Sequence, residues 1–187
     1  MPRNKSYNES VVLEKAMHLF WRNGYSNTSL QMLEKEMGIN KFSIYASFGN
    51  KEQMFLQSIG CYRRRLNDLI LKLKESNSGI QGIKTYFYDF IQFAQEGDFG
   101  KGCLITNTAN EMGQEANEEI KIALTKFMQE MRGLFLQSLL LDPTKSKETV
   151  ESQADYLLIA MFGLSSATKM FNKQQLHHYI DNIFNSL

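Results

Sequence analysis

AMHLFWRNGYSNTSLQMLEKEMGINKFSIYASFGNKEQMF, residues 16–55, is the stretch whose reading decides the fold. A first helix is predicted from about Asn8 to Asn23, with Leu13, Met17 and Phe20 on one face, and Gly24 ends it as glycine commonly does just past a helix. Thr28 and Gln31 have the spacing of a capping box, opening a short second helix that turns Leu30, Leu33 and Met37 inward until Gly38 closes it. Asn40 is placed to cap another short helix bearing Ile44, ended by Gly49. Asn50 and Gln53 repeat the capping-box pattern and start a long helix, about 51–74, with Phe55, Ile59, Tyr62, Leu66 and Leu73 on one side. Two short helices around a glycine turn, preceded by one helix and followed by a longer one, describe a helix-turn-helix with its supports. Ile39 and Ile44 would pack the third helix onto Phe20 and Leu33. Lys41, Phe42, Ser43, Tyr45 and Ser47 are left where they could enter a major groove. The same spacing also fits a plain three-helix core.

Outward from this stretch the helical period continues. A polar turn, Glu75 to Ile80, precedes an aromatic-rich helix at about 80–95, and Gly97 to Gly102 is the loosest segment. Helical blocks follow at about 103–112, 116–141 and 147–171, the last two separated by Asp142-Pro143. A final amphipathic helix from Lys173 carries Leu176, Ile180, Ile183 and Leu187. The expected fold is all-α, about nine helices, with a helix-turn-helix domain over 1–50 and a helical body over 51–187 that begins with the connecting helix.

Composition agrees. Hydrophobic residues make up 43% of the 187 and charged residues 22%, with only two prolines to interrupt helices. No apolar run approaches the roughly 20 residues of a membrane span, and the polar start, Met1 to Tyr7, does not resemble a signal peptide. The expectation is a cytoplasmic protein with no membrane partner. Net charge is only +1, but it is unevenly distributed. Residues 1–65 hold 10 Lys and Arg against 5 Asp and Glu, and residues 66–187 hold 11 against 15. A basic head on an acidic body fits a nucleic-acid-binding module joined to a non-binding one, or a chance scatter of solvated charge.

The runs Ala16–Leu30, Met37–Tyr45 and Phe48–Phe55 resemble the TetR/AcrR family of regulators. The specific elements are Leu19-Phe20, Gly24-Tyr25, Thr28-Ser29, Gly38-Ile39, Ile44-Tyr45, Phe48, Lys51-Glu52 and Phe55. The resemblance covers about residues 9–60. It implies a homodimeric, sequence-specific DNA-binding regulator, typically a repressor released from a pseudo-palindromic double-stranded operator by a small ligand. Carried over, Thr28 and the neighbouring Ser29 would meet a phosphate, Lys41 and Ser43 base edges or backbone, Tyr45 the backbone, and Lys51 a phosphate. Such assignments suit the chemistry, since cations and hydroxyls bind phosphate oxygens and short polar side chains reach base edges. Phe42 and Ser47 depart from the family pattern, which often has a small residue or proline and a histidine there. Arg3 and Lys5 could form a minor-groove arm or stay unordered.

The body, residues 76–187, is rich in aromatics and methionine. These either simply pack or wall a pocket for an apolar or aromatic ligand, methionine being adaptable in shape. The candidate lining is Phe87, Phe90, Cys103, Thr106, Asn107, Phe127, Met131 and Met161, with Asn110 as a further polar contact. Cys103, beside Lys101 at a predicted helix start, is either a sensor thiol or a buried inert one, and Cys61 reads as packing. Arg63 to Arg65 could approach DNA or pair with carboxylates. The small residues Ala160, Gly163, Ser165, Ser166 and Ala167, with the apolar stripe of the last helix, suggest a homodimer through the final two helices. His18, His177 and His178 lack metal-ligand spacing, and no catalytic set or phosphate loop occurs, so no metal, cofactor or enzymatic activity is expected. The competing reading is a helical ligand- or protein-binding module whose first three helices are scaffold.

Overall fold

The computed structural model describes residues 7–95, 101–112 and 116–187. Their secondary structure is entirely helical: α1 Glu9–Asn23, α2 Leu30–Met37, α3 Lys41–Phe48, α4 Lys51–Glu75, α5 Ile80–Ala94, α6 Leu104–Met112, α7 Glu118–Leu139, α8 Lys147–Ala167 and α9 Lys173–Asn185. Part of the segment expected to be loosest, residues 97–100, lies outside the described residues, as do Arg3 and Lys5. No helix among the described residues is long and apolar enough to cross a membrane.

Side-chain caps set most of the helix starts. Asn8, Asn40, Asn117 and Ser146 each accept from a backbone N–H in the first turn of their helix, and Asn50 with Gln53 and Asn172 with Gln175 form complete capping boxes. The start of α2 corrects the sequence reading. Thr28 does not cap it, because the side chain is fully buried and its hydroxyl donates to the Gly24 carbonyl at 2.6 Å, closing the α1–α2 loop. Ser29 takes the cap instead, its Oγ accepting from Met32 N at 3.2 Å. Several other boundaries also move inward. Cys103 stays outside α6 because its N–H is drawn to the Ser165 hydroxyl at 2.9 Å. Helix α7 spans 118–139 rather than 116–141, and α8 stops at Ala167, where i→i+3 turn bonds replace the helical ladder.

Helix α1 packs on α2 and α4, and α3 is held between α2 and α4. The other end of α4 packs on α5 and α7; α8 lies on α7, and α9 covers α5. An aromatic seam runs across the junction. Phe20 meets Phe55 edge-on at 5.0 Å, Trp21 meets Tyr62 edge-on at 5.0 Å, and Trp21 stacks on Phe93 at 5.4 Å. Each such pair is worth about 0.5–1.5 kcal/mol beyond its burial.

The last helix corrects a second expectation. Leu176, Ile180 and Ile183 are not an uncovered stripe; all three are buried within the monomer, and Phe184 meets Phe87 edge-on at 5.2 Å. Towards the end of the chain the exposed large apolar side chains are instead Tyr156 and Ile159 on α8, Met170 and Phe171 after it, and Tyr179 on α9.

Gly38 sits at φ 71°, ψ 24°, with its N–H closing α2 onto the Glu34 carbonyl. A Cβ there would meet nothing within 4 Å, so Gly38→Ala incurs only left-handed backbone strain, about 1–2 kcal/mol. Urea unfolding should show a loss of that size, and a smaller one for Gly38→Asn.

Candidate nucleic-acid interface and sensing body

Helix α3 is two-faced. Ile44 and Phe48 are buried beneath it, while Phe42 is 75% and Tyr45 49% exposed, with Lys41 exposed beside them. Exposing two aromatics and a cation on one face of an eight-residue helix is unfavourable unless something covers them. The Lys41 ammonium lies 5.5 Å from the Phe42 ring. Ser29 and the N-terminus of α2 stand exposed nearby in the chain, and Lys51 is half-buried at the first turn of α4. The Lys51 ammonium sits 4.4 Å from the Tyr25 ring centre. Partial burial pulls its pKa down, and the Glu111 carboxylate opposes that shift.

Two of the sequence-predicted contact residues have other employment. Thr28 is buried in the loop, as described, so its hydroxyl holds the Gly24 carbonyl rather than facing outward. Ser47 is half-buried and its Oγ lies 2.8 Å from the Tyr7 hydroxyl, which also donates to the Ser43 carbonyl at 3.2 Å. Tyr7 therefore pins the chain leading into α1 along the back of α3. The basic run on α4 is drawn toward carboxylates: Arg63 pairs with Glu130, and Arg65 with Glu14 at 2.9 Å.

Pattern-reading missed one residue that joins the two parts of the molecule. Glu111, on α6, accepts from the backbone N–H of Tyr25 at 2.8 Å and of Ser26 at 2.6 Å. No local motif could signal a bond between residues 85 positions apart. Trp21 makes a second polar joint, its indole N–H donating to the Gly102 carbonyl at 3.1 Å, with the Lys101 ammonium 5.0 Å from its ring. A buried indole needs such a partner, so this bond, though not its acceptor, was foreseeable.

In the body, the candidate ligand-lining residues are almost all core. Phe87, Phe90, Cys103, Thr106, Phe127, Met131 and Met161 are buried. The Phe87 and Phe135 rings pack at 6.0 Å, and the Tyr86 hydroxyl reaches Met131 Sδ at 3.9 Å. Asn107 is turned away, donating from its side chain to the Lys101 carbonyl at 2.8 Å. Cys103 and Thr106 sit together beside Tyr62, and burial pushes the Cys103 thiol up from its ordinary value. Burial does the same to Cys61. A cleft of about 230 Å³ opens between α4 and α5, with Leu69, Lys72, Thr85 and Tyr86 in its wall. Among the described residues no three His, Cys, Asp or Glu side chains converge as metal ligands would.

Residues 12–57 match the family described as bacterial regulatory proteins, tetR family. The HTH-type transcriptional regulator YezE of Bacillus subtilis is 30% identical over 112 residues, which are 59% of this chain and 58% of that protein. The match thus spans less than two thirds of that relative. IcaR of Staphylococcus aureus, the negative transcriptional regulator of the biofilm operon icaADBC, is 26% identical over 129 residues, 65% of this chain and 69% of its own. Among solved structures, a cysteine mutant of the TetR family regulator CifR, complexed with 26-bp operator DNA, aligns over 98% of this chain and 99% of its own, with a TM-score of 0.87 and 25% identity. A TetR regulator from Legionella pneumophila shares the fold at a TM-score of 0.84 and 18% identity, over 99% and 100% of the two chains. Residues 12–57 thus carry the helix-turn-helix head of the tetR family, and the chain as a whole shares the fold of TetR family regulators.

Proposed function

We propose that this protein is a sequence-specific transcriptional regulator, a ligand-released repressor that binds a pseudo-palindromic operator as a homodimer. The observation that carries the DNA reading is the open face of α3, with Lys41, Phe42 and Tyr45 presented over a fully buried apolar floor. Lys41 and Ser43 would address bases or backbone, and Phe42 a thymine methyl. Tyr45, Ser29 and Lys51 would take phosphates, fixing the register of the helix on the duplex. Thr28 would act from beneath by shaping the loop. Residues 1–50 then form the reading head and 51–187 the body. IcaR's role as a negative regulator favours repression.

The homodimer rests on the exposed apolar surface of α8 and the segment after it. Ile159 is 71% and Met170 85% exposed, and a cleft of about 370 Å³ lined by Gly163, Ala167, Phe171 and Tyr179 lies beside them. Water contact at such side chains is relieved when a second copy covers them. Two heads would then meet successive major grooves on one side of the duplex.

The ligand is proposed to enter between α4 and α5. The cleft there is smaller than the roughly 300–1,000 Å³ typical of ligand pockets, but Tyr86 in its wall leads to Met131, Phe87 and Phe135, and Met131 can change shape at little cost. A ligand that binds one head spacing better than the other would shift the dimer between them. Shape, rather than thiol chemistry, is the proposed signal, because a buried thiol with a raised pKa is a poor nucleophile.

Three outcomes are expected. Tyr45→Ala and Lys51→Ala should each weaken binding to duplex DNA while thermal unfolding stays near wild type, with Lys51→Ala lowering the slope of log K against log salt by about 1. Light scattering after size exclusion should find wild type dimeric and Ile159→Glu monomeric at the same concentration. Iodoacetamide at neutral pH should leave Cys103 unmodified in the folded chain and label it in urea, as read by peptide mass spectrometry.

A further inference from the structure

Glu111 does something the helix-turn-helix pattern does not account for. Its carboxylate leaves α6 and receives two successive backbone N–H groups of the α1–α2 loop, one on each oxygen, at 2.8 and 2.6 Å. Gly24 makes this approach possible: it sits at φ 82°, and a Cβ there would stand 2.5 Å from Glu111 Oε2. The loop so held carries every other part of one corner of the proposed interface. Its carbonyl at Gly24 receives the Thr28 hydroxyl, its Tyr25 ring lies under the Lys51 ammonium, and its far end is the Ser29 cap of α2.

The support behind Glu111 is not local. Helix α6 is tied to α8 just before its start, through Cys103 N to Ser165 Oγ at 2.9 Å, and the adjoining Gly102 carbonyl receives Trp21 of α1. The body therefore grips the head at both ends of α6, by a carboxylate at one and an indole at the other. The head and body lie together much as in a relative solved with operator DNA, so the grip belongs to an arrangement able to bind duplex.

We infer that Glu111 is a positioning residue for DNA binding: by holding the amides of Tyr25 and Ser26 it seats the loop that fixes Lys51 and Ser29 for phosphate. It touches no DNA itself. A carboxylate at this place would repel a phosphate that came close, so its contribution must come through the loop. The inference rests on the DNA-binding reading above.

The full-length chain carrying Glu111→Gln tests it. The side chain keeps its size, but an amide offers one acceptor oxygen and turns an N–H₂ donor toward the second loop N–H. Hydrogen exchange without DNA should speed up at Tyr25 and Ser26 and leave the α4 amides unchanged. On a random-sequence duplex at low salt, affinity should fall roughly tenfold and the log K against log salt slope by about 1. Adding Lys51→Ala to Glu111→Gln should then cost little more, since that phosphate contact is already lost. Binding and slope equal to wild type in Glu111→Gln, or full additivity with Lys51→Ala, overturns the inference alone. Unchanged exchange at the two loop amides overturns it as well. A wild-type chain that binds no duplex at low salt overturns the DNA-binding reading, and this inference with it.

Discussion

The structure depends on one shared helix being sealed from both sides at its middle. The 25-residue α4 belongs at its start to the three N-terminal helices and at its end to the body. Its Phe55 and Tyr62 meet Phe20 and Trp21 of α1, and Trp21 and Tyr62 continue to Phe93 of α5. These rings are large, rigid and almost completely buried, so the two parts cannot slide past each other without exposing them. A close-packed interior of this kind transmits a shift rather than absorbing it.

Around that apolar seam the polar joints decide orientation. Burial is non-directional, whereas the Glu111 carboxylate and the Trp21 indole each accept or donate along one line. A few such bonds are enough to select one relative placement of α1 and α6 among those the aromatic contacts would tolerate. The price is a loop built to fit, with Gly24 bare of a side chain where the carboxylate arrives. Tyr7 works in the same way on the other side of the head, orienting α3 through Ser47 and the Ser43 carbonyl.

The body shows how an aromatic-rich composition can be spent. Phe87, Phe90, Phe127 and Met131 look alike in sequence whether they pack or line a pocket, and here all four side chains are buried in the body. On α8, α9 and the segment between them, the apolar side chains that stay exposed are Tyr156, Ile159, Met170, Phe171 and Tyr179. Helix α9 contributes only Tyr179 to these, because its stripe of Leu176, Ile180 and Ile183 is already buried within the monomer.

What the amino-acid order determined by itself is what depends on neighbours within about four residues. Helix periodicity, the Asn50–Gln53 and Asn40 caps, and the left-handed stop at Gly38 are all local, and each stands as read. The inward face of α3, with Ile44 and Phe48, follows from the same periodicity. What only the tertiary structure decided are the events that bring distant residues together. Ser47 was taken by Tyr7, the α9 stripe by α5, and the α1–α2 loop by Glu111. Thr28 reaches only four residues back to Gly24, but it is the burial of its side chain in the fold that leaves the α2 cap to Ser29. A side chain's choice between solvent, a partner across the fold and a site depends on which groups arrive within about 3 Å, and spacing along the chain carries no record of that.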